Sequence, residues 1–278
     1  MNDTIDLHMH TLHSDGTCTS AELLDLVRTS GVSAFSVTDH DTLAGYRDIA
    51  GMLKTGDPEL ITGVELSIAV GDDDVHMLAY LFDPDHEELN LALLDFQEKR
   101  NRRGRMIVEK LRDMGMDVPF EAVEERAGSS VIGRPHIAEA MVNLNKVGSY
   151  QEAFDRYISK NSPAYVPKVT LEPKAAIDLV HRSGGLTVMA HPFIDDSARH
   201  LDMLQYLGLD GIEVYHSSHT QNEVARLKRI AKERHLVISG GSDFHGREGR
   251  YGMVGSQRVP ASLLADLKKH VEQIRGQV

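Results

Sequence analysis

Short apolar runs alternate with helical spacings along the first part of the chain. The runs typical of strands are Thr4–His8, Ala34–Thr38, Leu60–Thr62, Val64–Val70 and Val75–Phe82, and the helical patterns are 20–31 and Leu43–Leu53. We expect Ser20 to cap the first helix and Gly31 to end it. This β-α-β-α order predicts parallel strands joined by crossover helices.

Residues 87–160 follow a different pattern, which is long, charged and helical, with no good strand. We interpret them as an inserted helical unit that ends near Pro163 and Pro167. The alternation then returns, with helices at Ala175–His181, Glu223–Arg234 and Leu263–Ile274 and strands at Leu186–Ala190, Gly211–Tyr215 and Leu236–Ser239. The predicted domain boundaries are 1–95 and 166–278 for the two parts of an α/β unit, and 96–165 for the insert.

Composition limits the class of protein. The 278 residues are 41% hydrophobic, enough to bury one large core, or one core plus a small accessory unit. The single cysteine, Cys18, excludes a disulfide scaffold. Asp3 and Asp6 occupy the place where a signal peptide needs basic and then apolar residues, and no apolar run approaches the ~20 residues of a membrane helix. We therefore expect a cytoplasmic protein without a membrane segment.

The charge pattern narrows the chemistry further. The formal net charge is −12, from 42 acidic and 30 basic residues, which argues against a wide basic surface for duplex DNA. The chain also has 15 histidines. Because histidine is the commonest metal ligand among side chains, this number motivates a search for clusters.

Polar clusters follow the predicted strands. The residues that come directly after strands are Asp6, His8 and His10, then Asp39 and His40, then His191, and finally Asp243 and His245. In α/β barrels the carboxyl ends of the strands carry the active site. We therefore expect these side chains to meet at one rim of the fold.

The segment HMHTLHSDG at 8–16 contains two histidines spaced for one face of a strand. His8 and His10 alternate along the chain, so their rings point the same way and can bind one metal ion. Two surface histidines are the competing interpretation. Asp15 is a further ligand or a turn residue before Gly16, and His13 is more typical of a loop side chain.

Two strands carry ionisable residues within apolar surroundings. An unpaired carboxylate at Glu65 would be costly to bury, and a bridge between two cations would remove that cost, as would a salt bridge to an arginine. His76 is a ligand or a hydrogen-bonded core histidine. Gly240 and Gly241, just before Asp243, allow a close backbone approach or an unusual φ.

Together these positions form a candidate ligand set too large for one ion. The set is His8, His10, Asp15, His40, Glu65, His76, His191, Asp243 and His245. It fits two or three closely spaced divalent ions. Nitrogen and carboxylate ligands without thiolate suit manganese, zinc or iron. Cys18 is expected to be structural.

The order of motifs HxHT…SDG, TDHDT, GVE, VH, AHP and GSDFH resembles the PHP (polymerase and histidinol phosphatase) superfamily. The resemblance spans almost the whole chain, including VIGRPHIA at 131–138 and the IEVY…SH stretch at 212–219. It implies a distorted seven-stranded β/α barrel, similar to a TIM barrel, with an inserted small helical domain and a trinuclear metal centre.

The resemblance also implies a division of the ligands. One ion would be surrounded by His8, His10, Glu65 and Asp243, a second would be held by Glu65, His76 and His191, and a third by Asp15, His40 and His245. Within this set Glu65, Asp243 and His191 are the predicted catalytic residues.

The implied activity is phosphoester hydrolysis, in which a metal-bridging hydroxide attacks phosphorus in line. The branch that the chain resembles acts on the 3′-phosphate of nucleoside 3′,5′-bisphosphates or trims short RNA from its 5′ end. A histidinol phosphatase, a metal-dependent amidohydrolase and a non-catalytic nucleotide-binding module stay open as alternatives. The sequence does not specify an oligomeric state.

Several cationic residues are candidates for binding the substrate. Arg134 and His136 follow Gly133 at a predicted helix start, where an anion is favoured, and the competing interpretation of Arg134 is an exposed arginine. Lys168 follows Pro167, and His219 fits the family pattern better than His216 does. The run KRNRRGR at 99–105 carries five positive charges; it is a solvated face, or Arg100 and Arg103 on one helical face bind a second phosphate or an RNA backbone.

Overall fold

The computed structural model describes residues 4–71, 73–128, 132–167, 171–194, 196–246 and 252–276. Among these residues, no helix combines the length and the apolar character that crossing a membrane requires.

The first sheet has the strand order β3-β2-β1-β9. Its strands are β1 (Thr4–Asp6), β2 (Ala34–Ser36), β3 (Glu59–Ile61) and β9 (Val259–Pro260). Strands β1, β2 and β3 are parallel, as predicted, and β9 pairs antiparallel with β1.

Helix α1 (Ser20–Ser30) packs beside this sheet and ends at Gly31, as predicted. Its N-cap is Thr19, so the prediction of Ser20 was wrong. Thr19 and Glu22 form a reciprocal capping box, in which the Thr19 hydroxyl accepts from the Glu22 amide and the Glu22 carboxylate accepts from the Thr19 amide. Because this pair satisfies the backbone amides of Thr19 and Glu22, the helix is capped at Thr19 and Ser20 is its first residue.

The second sheet has the strand order β4-β5-β6-β7-β8. Its strands are β4 (Gly63–Val70), β5 (Asp73–Tyr80), β6 (Leu186–Met189), β7 (Gly211–Tyr215) and β8 (Val237–Gly240). Strands β6, β7 and β8 are parallel, but β4, β5 and β6 are antiparallel neighbours, so the prediction of parallel strands was wrong there. The connection between β4 and β5 is a short turn, which permits a hairpin but not a crossover.

Two seams join the sheets at the end of the fold that carries the histidines. At one seam His40 pairs with Glu65, and at the other Met9 pairs with Phe244. Gly241 permits the second approach, since a Cβ atom there would lie 2.4 Å from the His8 amide nitrogen. The strands nevertheless form sheets of four and five strands, so the seven-stranded barrel stays a prediction.

Helices cover the sheets, and a second helical group has a core of its own. The helices outside this group are α1, α2 (Ala44–Met52), α7 (Pro173–Arg182), α8 (Leu201–Tyr206), α9 (Gln221–Arg234) and α10 (Ser262–Arg275). The second group comprises α3 (Glu87–Asp113), α4 (Phe120–Ala127), α5 (Arg134–Asn143), α6 (Tyr150–Ala153) and a π-helical turn at Phe154–Ile158.

The core of this second group runs from Ile107 to Val166 and includes Leu111, Val123 and Ile137. Helix α3 passes without a break through the predicted boundary at residue 95, and its first half packs on the main core through Leu89 and Leu93. One long helix therefore links the two cores, and the domain boundaries themselves stay a prediction.

A buried carboxylate fastens the end of the fold opposite the seams. Asp210, just before β7, accepts hydrogen bonds from the ring nitrogens of His181 (2.8 Å) and His270 (2.9 Å) and from the Thr187 amide (2.8 Å). Burial alone would raise the pKa of Asp210, but the two histidine bonds lower it to about 2. Because this pKa lies below the ordinary 3.8, the ionised Asp210 stabilises the folded state above pH 3.8. This contribution is lost as the pH falls towards 2.

We predict that Asp210→Asn lowers the free energy of unfolding by about 2 kcal/mol at pH 7, the equivalent of the pKa shift. Urea unfolding of the wild type and of Asp210→Asn at several pH values measures the difference in free energy of unfolding. This difference should shrink below pH 4. A difference that stays constant down to pH 2 would contradict the electrostatic explanation.

Candidate metal centre

The first strand delivers two histidines to the same place. His8 and His10 follow β1 with one residue between them, and their ring centroids are 5.2 Å apart. Both side chains are fully buried. The intervening Met9 pairs with Phe244 across the seam, so the alternation of an extended chain turns both rings inward.

The other seam brings together residues from strands of both sheets. His40 follows β2 and lies opposite Glu65 in β4. His76 lies near the start of β5, and its carbonyl accepts from the Ala190 amide just after β6. Because β5 is antiparallel to β6, the beginning of β5 meets the carboxyl end of β6, where His191 follows.

Four donor atoms converge in a first group. The Nε2 atoms of His8 and His10 lie 3.2 and 3.1 Å from Glu65 Oε2, and each lies 3.2 Å from Asp243 Oδ1. Donor atoms bound tetrahedrally to zinc at its usual bond lengths are separated by about 3.3 Å. The spacing of these atoms therefore fits a shared cation.

The remaining candidate ligands form two further groups. Glu65 Oε1 lies 2.9 Å from His76 Nδ1 and 3.1 Å from His191 Nε2. Asp15 lies 3.3 Å from His245 Nε2 and 3.5 Å from His40 Nε2. The structure thus brings all nine candidates together, and the two oxygens of Glu65 face different groups.

Two buried nitrogen atoms support the fit to a cation. His10 Nε2 and His40 Nδ1 are inaccessible and make no hydrogen bond, although carboxylate oxygens lie near both. A buried polar atom without a hydrogen bond is costly, and a metal ion would satisfy it. Cys18 lies instead in a hydrophobic cluster with Leu23 and Phe35.

The protonation states favour ligation by the carboxylates. Burial alone would raise the pKa of Asp243, but the charge of His8 holds it well below its usual range. Asp243 is therefore an anion. Burial depresses the pKa of His40 well below its usual value, which leaves a neutral imidazole with a free lone pair.

Two residues that the sequence analysis did not select, Glu213 and His216, lie against the first group. Glu213 Oε1 is 2.9 Å from His8 Nδ1, and His216 Nε2 is 3.1 Å from Asp243 Oδ2. Both side chains are fully buried. The argument that singled out Glu65, a carboxylate inside an apolar strand, applies equally to Glu213 in β7.

Local structure fixes the loop that carries Asp15. Asp39 accepts hydrogen bonds of 2.7 Å from the Thr11 amide, the Thr11 hydroxyl and the Ser14 hydroxyl. The backbone is strained beside this loop and at two candidate ligands, since Asp41, His191 and Asp243 have φ values of 54°, 26° and 53°. Strained residues persist where the surrounding contacts overdetermine them, which is common in active sites.

Two pockets adjoin the candidate ligands, and each has an arginine in its wall. Arg100, which forms an ion pair of 2.9 Å with Asp41, lines the pocket that contains Asp15 and His40. Arg134 lines a second pocket, with His76 and His191. Each pocket therefore places an arginine beside the donor cluster.

The basic run on α3 is divided between the interior and the surface. Arg103 is 7% exposed, and its Nε donates to the Val166 carbonyl at 2.8 Å. Its buried Nη2 has no hydrogen-bond partner, and burial with the charge of Arg134 lowers the pKa of Arg103 to about 10. Arg102 and Arg105 are exposed.

The other predicted substrate ligands differ in how far they are already engaged. His136 Nδ1 accepts from the Gly133 amide at 3.1 Å, and the His136 ring also bonds the Ser14 backbone. The Nδ1 atom of His219 bonds the Val214 carbonyl at 3.0 Å, and its buried Nε2 has no hydrogen-bond partner. Lys168 lies outside the described residues.

Comparison with known proteins identifies relatives along most of the chain. The model of the PHP domain matches residues 6–103. A 5′-3′ exoribonuclease of Haemophilus influenzae is 31% identical over 88% of this chain and 91% of its own length. A 3′,5′-nucleoside bisphosphate phosphatase of Chromobacterium violaceum is 30% identical over 88% of this chain and 89% of its own length.

A solved structure shares the fold. The crystal structure of a protein assigned as a metal-dependent phosphoesterase, from Bifidobacterium adolescentis, is 30% identical and has a TM-score of 0.84. The similarity covers 95% of this chain and 94% of that one. The shared fold therefore includes both the strands that carry the candidate ligands and the helical group beside them.

We predict that Glu65→Gln removes more bound metal than Asp15→Asn, because the oxygens of Glu65 face two donor groups. Elemental analysis of the purified proteins, after loading with Mn²⁺ or Zn²⁺ and desalting, gives the ions per chain. Asp210→Asn is the matched control, since it alters a partly buried aspartate between two histidines outside the cluster. A wild-type ion count in Glu65→Gln would contradict the assignment.

Proposed function

The chain belongs to the PHP domain family, and on that premise we propose that it hydrolyses a phosphomonoester of a small nucleotide. It is a metal-dependent phosphoester hydrolase. The substrate that we propose is a nucleoside 3′,5′-bisphosphate, which loses its 3′-phosphate. The observation that carries this choice is the pair of arginine-lined pockets beside the donor cluster.

We propose that the nine candidate ligands hold two or three divalent ions, with manganese, zinc or iron as the candidates. When bound, such ions lower the pKa of water and neutralise charge on phosphate. Glu65, Asp243 and His191 are the proposed catalytic residues among them. The carboxylates of Glu65 and Asp243 are buried and the imidazole of His191 is partly buried, so they act in a site with limited access for water.

The arginines would bind and orient the phosphates. The Asp41 carboxylate fixes one edge of the Arg100 guanidinium, which leaves its other donors for an anion in the pocket with Asp15 and His40. Arg134 would do the same in the pocket with His76 and His191. A substrate with two phosphates would occupy both kinds of site at once, with one phosphate at the ions and the second on an arginine.

The helical group at 96–165 is the proposed cap of the site. It supplies Arg100, Arg103 and Arg134, and the buried Nη2 of Arg103 lacks a partner that an anion could provide. A charge-assisted hydrogen bond is about twice as strong as a neutral one, so three arginines favour a highly charged ligand.

A second candidate is 5′-3′ trimming of short RNA. A further pocket, lined by Lys160, Asn161 and Tyr165, adjoins the Arg134 pocket through Asp74. A cation with an aromatic ring beside it is the combination that binds single-stranded nucleic acid. The relative from Haemophilus influenzae is named as such an exoribonuclease.

A panel of substrates separates these activities. Phosphate or nucleotide release is measured with and without Mn²⁺ on a nucleoside 3′,5′-bisphosphate, a 5′-mononucleotide, short 5′-phosphorylated RNA and histidinol phosphate. We expect the bisphosphate to have the highest kcat/KM, and release to require the metal. Faster turnover of RNA would favour the second candidate, and no hydrolysis of any ester would favour an amidohydrolase or a binding module.

We predict that Arg100→Gln lowers kcat/KM on the bisphosphate by about 10-fold or more, the loss expected for one charge-assisted hydrogen bond, and less on the mononucleotide. Arg102→Gln is the control, because Arg102 is exposed on the same helix. Equal losses of kcat/KM on the bisphosphate and the mononucleotide would show that Arg100 does not recognise the second phosphate.

A further inference from the structure

We infer that Glu213 and His216 are positioning residues of the metal centre, which fix the hydrogen-bonding state of His8 and Asp243 without binding an ion themselves. The inference rests on the proposed metal centre. The roles of Glu213 and His216 extend the proposed metal centre, because neither residue belongs to the proposed ligand set.

Glu213 determines which nitrogen of His8 carries the proton. A carboxylate can only accept, so the bond of 2.9 Å between Glu213 Oε1 and His8 Nδ1 requires a proton on Nδ1. Nε2 also lies 3.2 Å from a Glu65 oxygen, so it too can donate. Binding of an ion at Nε2 requires that nitrogen to give up its proton, and the neutral ring then keeps its proton on Nδ1 and its lone pair on Nε2. That atom lies 3.2 Å from Glu65 Oε2 and from Asp243 Oδ1, so the lone pair is directed at the first donor group.

The second oxygen of Glu213 secures another proposed ligand. Glu213 Oε2 accepts from the His191 backbone amide at 2.8 Å. His191 has a φ of 26°, a backbone conformation that non-glycine residues rarely adopt without such support. One carboxylate therefore holds the ring of His8 and the main chain of His191.

Glutamine cannot replace this carboxylate. Both groups that contact Glu213 are donors, namely the His8 Nδ1–H and the His191 N–H. A carboxamide offers one acceptor oxygen and one amino group, so one of the two donors would face another donor. Glu213→Gln is therefore a small change in shape that breaks one of two bonds.

His216 orients Asp243 through a hydrogen bond whose direction follows from a similar argument. The backbone N–H of Ser218 lies 3.1 Å from His216 Nδ1, and a backbone N–H can only donate, so Nδ1 is the acceptor. The proton of the neutral ring is then on Nε2, which donates to Asp243 Oδ2 at 3.1 Å. This leaves Asp243 Oδ1 for the first donor group.

The three residues His8, Glu213 and His216 are also close enough together to suggest a separate ion site. Their donor atoms, however, already have partners. His8 Nδ1 bonds Glu213, and both nitrogens of His216 are used by Ser218 and Asp243. The geometry is that of hydrogen bonds that orient ligands, which typically affect metal affinity by about 10- to 100-fold.

The test measures metal affinity rather than turnover. Apoprotein is titrated with Zn²⁺ against a chromophoric chelator, and the ions per chain are counted separately at saturation. For Glu213→Gln we expect a dissociation constant raised about 10- to 100-fold for at least one ion, with the wild-type count at saturation. An unchanged dissociation constant would overturn the inference, and so would the loss of one ion at saturation, which would make Glu213 a ligand.

Asp210→Asn is the matched control for Glu213→Gln. Asp210 precedes the same strand, β7, and likewise accepts from histidine rings and from a backbone amide of β6, but at the opposite end. Both variants should lose stability as apoproteins, and only Glu213→Gln should lose metal affinity. Equal loss of affinity in both would mean that the effect is general destabilisation.

Two variants of His216 separate a positioning role from ligation. A glutamine side chain can still donate to Asp243, but it lacks the imidazole nitrogen that binds metals well. We expect His216→Gln to stay within a factor of about three of the wild-type affinity, and His216→Leu to lose about 10-fold. Loss of an ion in His216→Gln would identify His216 as a ligand instead.

The wild-type titration keeps this inference distinct from the proposed metal centre. If the wild-type protein bound no Zn²⁺, the metal centre itself would be wrong. If the wild type bound Zn²⁺ and neither Glu213→Gln nor His216→Leu altered the affinity, only the positioning roles would be wrong.

Discussion

The constraint on which the rest of this structure depends is the burial of carboxylates among imidazoles at the junction of two sheets. Glu65 is 1% exposed and Asp243 is 4% exposed, and both face histidine nitrogens at about the distances that separate ligands of one ion. Burial of such anions is costly without compensation. Histidine protons supply part of that compensation, but two buried nitrogen atoms still lack a hydrogen bond. Divalent cations would satisfy both the anions and these nitrogens.

The fold holds this cluster by features that lie outside the proposed ligands. Gly241 lets the segments around His8 and Asp243 approach closely enough to pair, and Asp39 holds the loop that carries Asp15. The antiparallel turn between β4 and β5 is what returns the chain so that His76 meets the carboxyl end of β6. The helical group then brings one arginine to each of the two pockets beside the cluster. The acidic net charge of the chain therefore coexists with an arginine in the wall of each pocket beside the cluster.

Much of the site could be predicted from the sequence because its residues follow or interrupt apolar runs, and such positions are visible in a one-dimensional pattern. Glu213 shows the limit of that approach. Its signal is the same as that of Glu65, a carboxylate in an apolar strand, but only the structure pairs it with a histidine 205 positions away. The antiparallel pairing of β4 and β5 could have been predicted, because the two predicted strands are separated by too few residues for a crossover. The antiparallel pairing of β5 and β6 could not, because periodicity indicates a strand without indicating its direction. Arg100 and Arg103 share one helix face, yet one pairs with Asp41 and the other is buried against Val166, a difference that depends on tertiary packing.

The central claim is that side chains from separate strands bind several divalent ions around the Glu65 carboxylate. Anomalous diffraction from metal-loaded crystals, recorded on both sides of the manganese or zinc absorption edge, tests it most directly. The account predicts at least two peaks, one on each side of that carboxylate, one next to His8 and His10 and the other next to His76 and His191. Peaks confined to surface carboxylates, with none among these histidines, would contradict it.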